Sequence, residues 1–412
     1  MNKIAFENVN LISGNENDIS NNMTVIIQDK FIQKVDKTSR IIFDRKSCKL
    51  IDGTNKWLMP GLINCHDHIW DKKMGDLSSN VERKAWHMEF FLRSPGYQAL
   101  ESAKNAWEEL KQGVTTIRDL GGPHVKNQVF PDYTNVDLRK SIEAGLPGPR
   151  ILACRLAISI TGGHGYPWFG LREADGPNEV CKAVREQLKG GADCIKIMSG
   201  GGFLNYPEED PNFADYSIEE INSAVRETHK KGRFITAHAS SDKAAKNAIL
   251  AGVDTIEHGF MMEEETVSMM VKKNVSYVPT MAVLLKYLQR ETSPLLSLIK
   301  EIVPKHRKIV LLAKKLGLMI GVGTDSSQKM YEELEVFIEY GFSPLEALVS
   351  ATKFSAKICG LKNLGVIQKG GIADIILLNN DPLKNIKKAF DNVQIVMKEG
   401  QVMYCKNENL NT

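Results

Sequence analysis

The feature that most constrains this chain is a change of rhythm in its middle. Short β-rich apolar runs there alternate with amphipathic helical stretches. Strand candidates begin near Leu62, Thr115, Ile151, Cys194, Phe234, Thr255, Ser276 and Met319. Between them lie stretches such as NEVCKAVREQLKGGA, IEEINSAVRETHKKG and SDKAAKNAILAGV, whose apolar residues recur at helical spacing. A strand–helix repeat packs as parallel strands with crossover helices. Eight such units between residues 59 and 362 fit a closed (β/α)₈ TIM barrel better than an open sheet.

The flanks follow another pattern. From Lys3 to about Leu58, apolar and polar residues alternate between Gly, Asn and Asp turns, and GVIQKGGIADIILL and VQIVMKEGQVMY do the same near the other end. Neither flank alone is long enough for a β domain. The expected class is therefore α/β: a TIM barrel over 59–362, with a small composite β-sandwich built from both chain ends, residues 1–58 and 363–412.

Composition narrows the function classes. Lys and Arg number 53 against 50 Asp and Glu, so charge gives no reason to bind nucleic acid or a membrane surface. No apolar run approaches the ~20 residues of a membrane span, and the first residues lack the apolar core of a signal peptide. The expectation is a cytoplasmic enzyme acting on a small molecule. The 7 Cys are scattered, with no CxxC pair. Cys154 and Cys194 sit in strand-like runs, where a reduced thiol behaves as a small hydrophobe, and no disulfide framework is expected.

Barrel enzymes place their chemistry at the C-terminal ends of the strands. After the first run, GLINCHDHIW puts His66 and His68 two apart, on one face of a strand. Two imidazoles so placed form a metal clamp, although two solvent-facing histidines give the same pattern. His238 in FITAHAS, His258 in DTIEHGF and Asp325 in IGVGTDSS end the fifth, sixth and eighth runs. Singly, each fits a hydrogen-bonded structural residue; together they converge on one axis.

Lys196 stands between Ile195 and Ile197 in DCIKIMSGGG. Three readings are open: a lysine that snorkels outward, a Schiff-base or phosphate lysine, or a lysine carboxylated by CO₂. The last fits four histidines and an aspartate best, because an ammonium would repel metal ions. Among the loops, TGGHG carries His164, and SGGGFLNYPEEDPNFADYS carries Tyr206 and Tyr216 as candidate substrate contacts, with turn or packing roles as alternatives. Asp119 and His124 read as loop-structuring residues; His87, His229 and His306, on helical stretches, read as surface residues. The SGGG run belongs to no GxxxxGK[ST] or GxGxxG phosphate loop, and no GxSxG elbow occurs.

With PGLINCHDH, GVTTIRDLGG, TGGHG, GADCIKI, AHA, IEHG and GTDS all present, the chain resembles the amidohydrolase superfamily over nearly its whole length. Within it, the chain looks like the branch of imidazolonepropionase-like hydrolases and Xaa-Pro or Xaa-Arg dipeptidases. The resemblance implies two divalent metal ions, expected to be zinc. His66, His68 and Asp325 would hold one and His238 and His258 the other, with a CO₂-derived carbamate on Lys196 and a hydroxide bridging them. It implies Asp325 as the proton shuttle, His164 on the substrate carbonyl or carboxylate, and a homo-oligomer. The implied reaction is hydrolysis of the amide bond of a dipeptide or N-acyl amino acid. Imidazolonepropionase proper uses one metal and lacks the bridging lysine, so Lys196 argues against that activity. Ser240 stands where several dipeptidases carry a substrate-contacting Tyr or His, and its shorter side chain leaves their specificity in question here. A cyclic amidase or lactonase would use the same ligands. A mononuclear deaminase would not need Lys196, and an inactive barrel would be expected to have lost ligands that are all present here.

Overall fold

The computed structural model of the chain describes residues 3–16, 18–71, 85, 89, 92–122, 134–166, 170–204, 206, 209–289, 295–325 and 329–406. His87 and His124 lie outside the described residues.

The N-terminal flank forms β1 (Lys3–Ile12), β2 (Ile19–Gln28), β3 (Phe31–Lys37), β4 (Lys49–Asp52) and β5 (Trp57–Pro60). Next come the parallel strands β6 (Leu62–Asp67), β7 (Val114–Asp119), β8 (Arg150–Ala153), β9 (Ala157–Ser159), β10 (Leu171–Glu173), β11 (Cys194–Met198), β12 (Phe234–Ser241), β13 (Thr255–Met261) and β14 (Ser276–Val278). The chain ends in β15 (Ile375–Leu378), β16 (Val393–Lys398) and β17 (Gln401–Cys405).

The two chain ends meet in one eight-stranded sheet of order β17-β16-β15-β5-β1-β2-β3, with β4 on β1. Alternation along its strands sorts the side chains. Phe6, Val25, Ile27 and Leu377 share one apolar cluster, while Ala5 and Ile26 face a second with Ile41. In β15 the next residues, Ile376 and Leu378, join the large core of the parallel strands and their helices. One strand thus ties the flank sheet to the body of the protein.

The parallel strands form sheets of order β6-β7-β8 and β10-β9-β11-β12-β13-β14. Backbone hydrogen bonds join these sheets at both junctions. On one side Asp193 N donates to Ala153 O (2.7 Å). On the other, Met319–Asp325 runs between β14 and β6: Tyr277 N donates to Met319 O (3.0 Å), Cys65 N to Val322 O (2.8 Å) and Asp325 N to His66 O (2.8 Å). Helices cover the strands. The helix Ile218–His229 starts where a reciprocal Ser217–Glu220 capping box satisfies its first N–H groups, and it buries Ile221, Ala224 and Val225. On β11, Ile195 and Ile197 enter the helix-facing core. The period of two sends Lys196 and Met198 to the opposite side, where both line a pocket. No described helix is long and apolar enough to cross a membrane.

His306 departs from the surface position expected of it. It is fully buried, with Nε2 2.9 Å from Tyr277 Oη and 3.2 Å from His258 O. Its helix, Leu296–Lys315, turns that face inward with Ile302 and Ile309. His229 is exposed as expected, beside Asp254.

Candidate metal centre

The pocket at the C-terminal ends of the parallel strands is lined by His66, His68, His164, Lys196, His238, His258 and Asp325. His66 and His68 leave β6 together. Asp325 Oδ1 lies 3.6 Å from His66 Nε2 and 3.4 Å from His68 Nε2. One ligand atom from each of the three falls within 4.8 Å of the others. His258 lies 4.8 Å, ring centre to ring centre, from His66 and 4.6 Å from His238.

Each imidazole is oriented by its other nitrogen. His66 Nδ1 lies 2.7 Å from Glu257 Oε2, and His68 Nδ1 lies 3.3 Å from Gly121 O. His258 Nδ1 meets Thr280 Oγ1 at 2.7 Å, and His238 Nε2 lies 3.2 Å from Gly201 O. This is the outer shell a metal site needs to fix tautomer and ring plane. Burial, first among the causes, holds His66, His238 and His258 well below the usual histidine range, with Lys196 adding repulsion. The rings are therefore neutral at pH 7, the form that binds a cation. Burial pushes the Asp325 carboxyl up to about 6, against the pull of Lys196.

Lys196 is 1% exposed, and its Nζ has no hydrogen-bond partner among the described residues. Burial lowers it to about 8, while Glu257 and Asp325 hold it up. A buried amine without a partner is costly. A carbamate would turn it into an anion facing the ligand cluster. The donor set, the outer shell and this orphaned nitrogen fit a divalent metal centre.

Two charged residues that were not singled out from the sequence support the site from beneath. Arg118 Nη2 lies 2.7 Å from Glu257 Oε1, and Arg118 Nε donates to Cys65 O at 2.5 Å. Thr236 Oγ1 also bonds Glu257. The signal was available: like Lys196, Glu257 and Arg118 are charged residues next to Ile in apolar strand runs. Three residues at the site hold left-handed backbone, His258 (φ 70°), Thr280 (φ 46°) and Asp325 (φ 60°). Such conformations cost on the order of 1–3 kcal/mol each and concentrate at functional sites.

The expected substrate contacts separate. His164 lines the pocket, its ring stacked 4.0 Å from that of His238. Tyr206 packs at the edge of an apolar cluster with Phe203, Phe260 and Tyr287, beside the pocket. The structure does not bring Tyr216 to the pocket: it is buried in the main core, and its hydroxyl donates to Ala174 O at 2.7 Å. Ser240 is fully buried, with Oγ 3.3 Å from His238 Nε2, so it contacts His238 rather than the pocket. Asp119 keeps the structural role expected of it, accepting from Ile69 N (3.2 Å), Gly121 N (3.2 Å) and Asn135 Nδ2 (3.1 Å).

Known proteins carry the same frame. Ochratoxinase of Aspergillus niger is 30% identical over 403 residues, covering 89% of this chain and 79% of that enzyme. Its crystal structure superposes with a TM-score of 0.85 at 27% identity, covering 98% of this chain and 96% of that one. A Xaa-Pro dipeptidase with methionine bound in its active site gives a TM-score of 0.85 at 26% identity, covering 98% of this chain and all (100%) of that one. Imidazolonepropionase of Pseudoalteromonas atlantica is 25% identical over 397 residues, 88% of each chain. The amidohydrolase family pattern itself matches residues 57–403. This chain is a hydrolase acting on amide bonds, and it belongs to the amidohydrolase family.

Proposed function

We propose that the protein is a binuclear metal-dependent amidohydrolase that cleaves the amide bond of a dipeptide or an N-acyl amino acid. The observation that carries this reading is Lys196: a buried amine, without a hydrogen-bond partner among the described residues, that lines the same pocket as His66, His68, His238, His258 and Asp325. His66, His68 and Asp325 would hold one divalent ion and His238 and His258 the other, with carboxylated Lys196 between them. Zinc suits this donor set. When bound, the two ions supply a lowered pKa for water and polarise a carbonyl.

The chain's own groups do the rest. Asp325 takes the proton of the attacking water and returns it to the leaving amine. His164 holds the substrate carbonyl or carboxylate. Phe203, Leu204, Phe260, Val283 and Tyr287 form an apolar wall that favours an apolar group beside the scissile bond and excludes bulk water.

The same reading includes one closed eight-unit barrel over residues 59–362, with residues 1–58 and 363–412 as the composite β-sandwich domain. The hydrogen bonds at both sheet junctions support it. We place the enzyme in the cytoplasm as a homo-oligomer.

The test is metal content per chain in protein expressed with zinc and bicarbonate, beside Lys196→Ala. About two zinc in the wild type and fewer in the variant are expected. One metal in both would overturn the bridging role and turn the search to deaminase-type chemistry.

A further inference from the structure

The SGGG run after β11 matches no phosphate-loop spacing, and the reaction proposed above does not use it. Its place in the fold gives it another task. Gly201 O accepts from His238 Nε2 at 3.2 Å. Gly202 N donates to Glu209 Oε1 at 2.5 Å. The same Glu209 oxygen bonds His164 Nδ1. His164 in turn stacks on His238, ring centres 4.0 Å apart and planes 20° apart. Two glycines, one carboxylate and two imidazoles thus form one connected unit at the pocket wall.

The glycines are there for space. A Cβ on Gly202 would lie 2.2 Å from His164 Cε1 and 2.4 Å from its Nδ1. A Cβ on Gly201 would lie 2.2 Å from Asp210 O. Any side chain at 202 would push the His164 ring off His238. Glu209 supplies the complementary constraint. A carboxylate at Nδ1 fixes the orientation of the ring and turns its Nε2 edge towards the pocket that the ring lines. His164 sits on a Gly-rich loop and is 7% exposed. Its orientation therefore depends on Glu209, which reaches it from a different loop 45 residues further along the chain.

We propose that Glu209 is a positioning residue for the hydrolysis, acting through His164. It fixes the ring plane of His164, and the bond it accepts from Gly202 N holds the carboxylate in place to do so. This inference rests on the amide-hydrolase reading for its kinetic consequence but not for its structural one.

The test compares zinc-loaded wild type, Glu209→Ala, His164→Asn and the double variant on a panel of N-acetyl amino acids and dipeptides. Histidine ¹⁵N spectra are recorded for each, with His164 assigned by its loss in His164→Asn. We expect Glu209→Ala to change the His164 nitrogen pattern and to lower kcat/KM by roughly 10- to 100-fold at unchanged zinc content. Adding Glu209→Ala to His164→Asn should cost nothing further, because both act through one ring. An unchanged His164 pattern, or a full additional loss in the double variant, overturns the proposal. If Glu209→Ala does not fold, Glu209→Leu, which removes the acceptor while keeping much of the volume, is read the same way. If the wild type cleaves no member of the panel, the dipeptide or N-acyl amino acid reading fails, and the ¹⁵N comparison alone decides whether Glu209 sets His164.

Discussion

Glu257 Oε2 lies 2.7 Å from His66 Nδ1, and both side chains are cut off from water. The carboxylate makes Nδ1 the donor and leaves the Nε2 lone pair facing Asp325. Arg118 sits on the other oxygen of Glu257 at 2.7 Å. A candidate ligand histidine, its orienting carboxylate and a compensating cation are thus linked in series beneath the pocket. Glu257→Gln is expected to keep the shape but weaken zinc binding by roughly 10- to 100-fold, read by competition with a chromophoric chelator. Unchanged affinity would show that Glu257 serves stability alone.

Arg118→Met tests the other end of that line. Removing one partner of a buried pair leaves an uncompensated charge, at a cost of about 3–5 kcal/mol. Urea unfolding of metal-free protein should show the loss. A difference below about 1 kcal/mol would mean that Glu257 is held by Thr236 and His66 without help from Arg118.

Asp325→Asn removes the proposed proton shuttle while keeping an oxygen donor near His66 and His68. Turnover of zinc-loaded enzyme should fall by roughly 10²- to 10⁴-fold. Near wild-type kcat would exclude Asp325 as the shuttle.

Chelation should abolish activity and lower the melting temperature, because ions that bind only the folded chain stabilise it by mass action. Adding back zinc should restore both. Activity that survives exhaustive chelation would remove the metals from the reaction.

His306 predicts a pH effect on stability. Burial lowers it from 6.5 to about 4. Its folded value lies below its unfolded one, so the unfolded chain binds more protons between pH 4 and 6.5. Its contribution is therefore constant above pH 6.5, and stability is lost as pH falls through that window. From pH 7 to pH 5 the group should cost about 2 kcal/mol. His306→Gln keeps an N–H donor without titrating, so metal-free wild type should lose that much more than the variant over this range. Parallel pH dependences would refute the assignment.

Tyr216→Phe separates core from pocket. With its hydroxyl on Ala174 O, the variant should lose roughly 0.5–1.5 kcal/mol of stability and keep its kcat/KM. A large loss of kcat/KM at normal stability would return Tyr216 to the substrate.

Much of the architecture was legible because parallel strands under crossover helices leave a local signature. β6, β11, β12, β13 and β14 begin at the expected residues, and β7 and β8 begin one residue earlier. The run expected at Met319 instead pairs with β14 and β6 through scattered backbone bonds. The short β9 and β10 left no periodic trace, since three residues are too few to show one.

The ligand candidates follow from local patterning alone. A strand of period two places His66 and His68 on one face, and a polar residue ending each apolar run must lie at the same end of parallel strands. The same patterning marked Lys196, whose charge is out of place between two isoleucines. Their partners come from long-range packing. Glu257 reaches His66 across 191 residues and Arg118 across 139, while Glu209 reaches His164 across 45. Packing also decided that Tyr216 and His306 face inward and that Ser240 bonds His238. Local periodicity fixes which side of an element a residue takes. What waits on that side is set by which elements pack there, and that is a property of the whole chain.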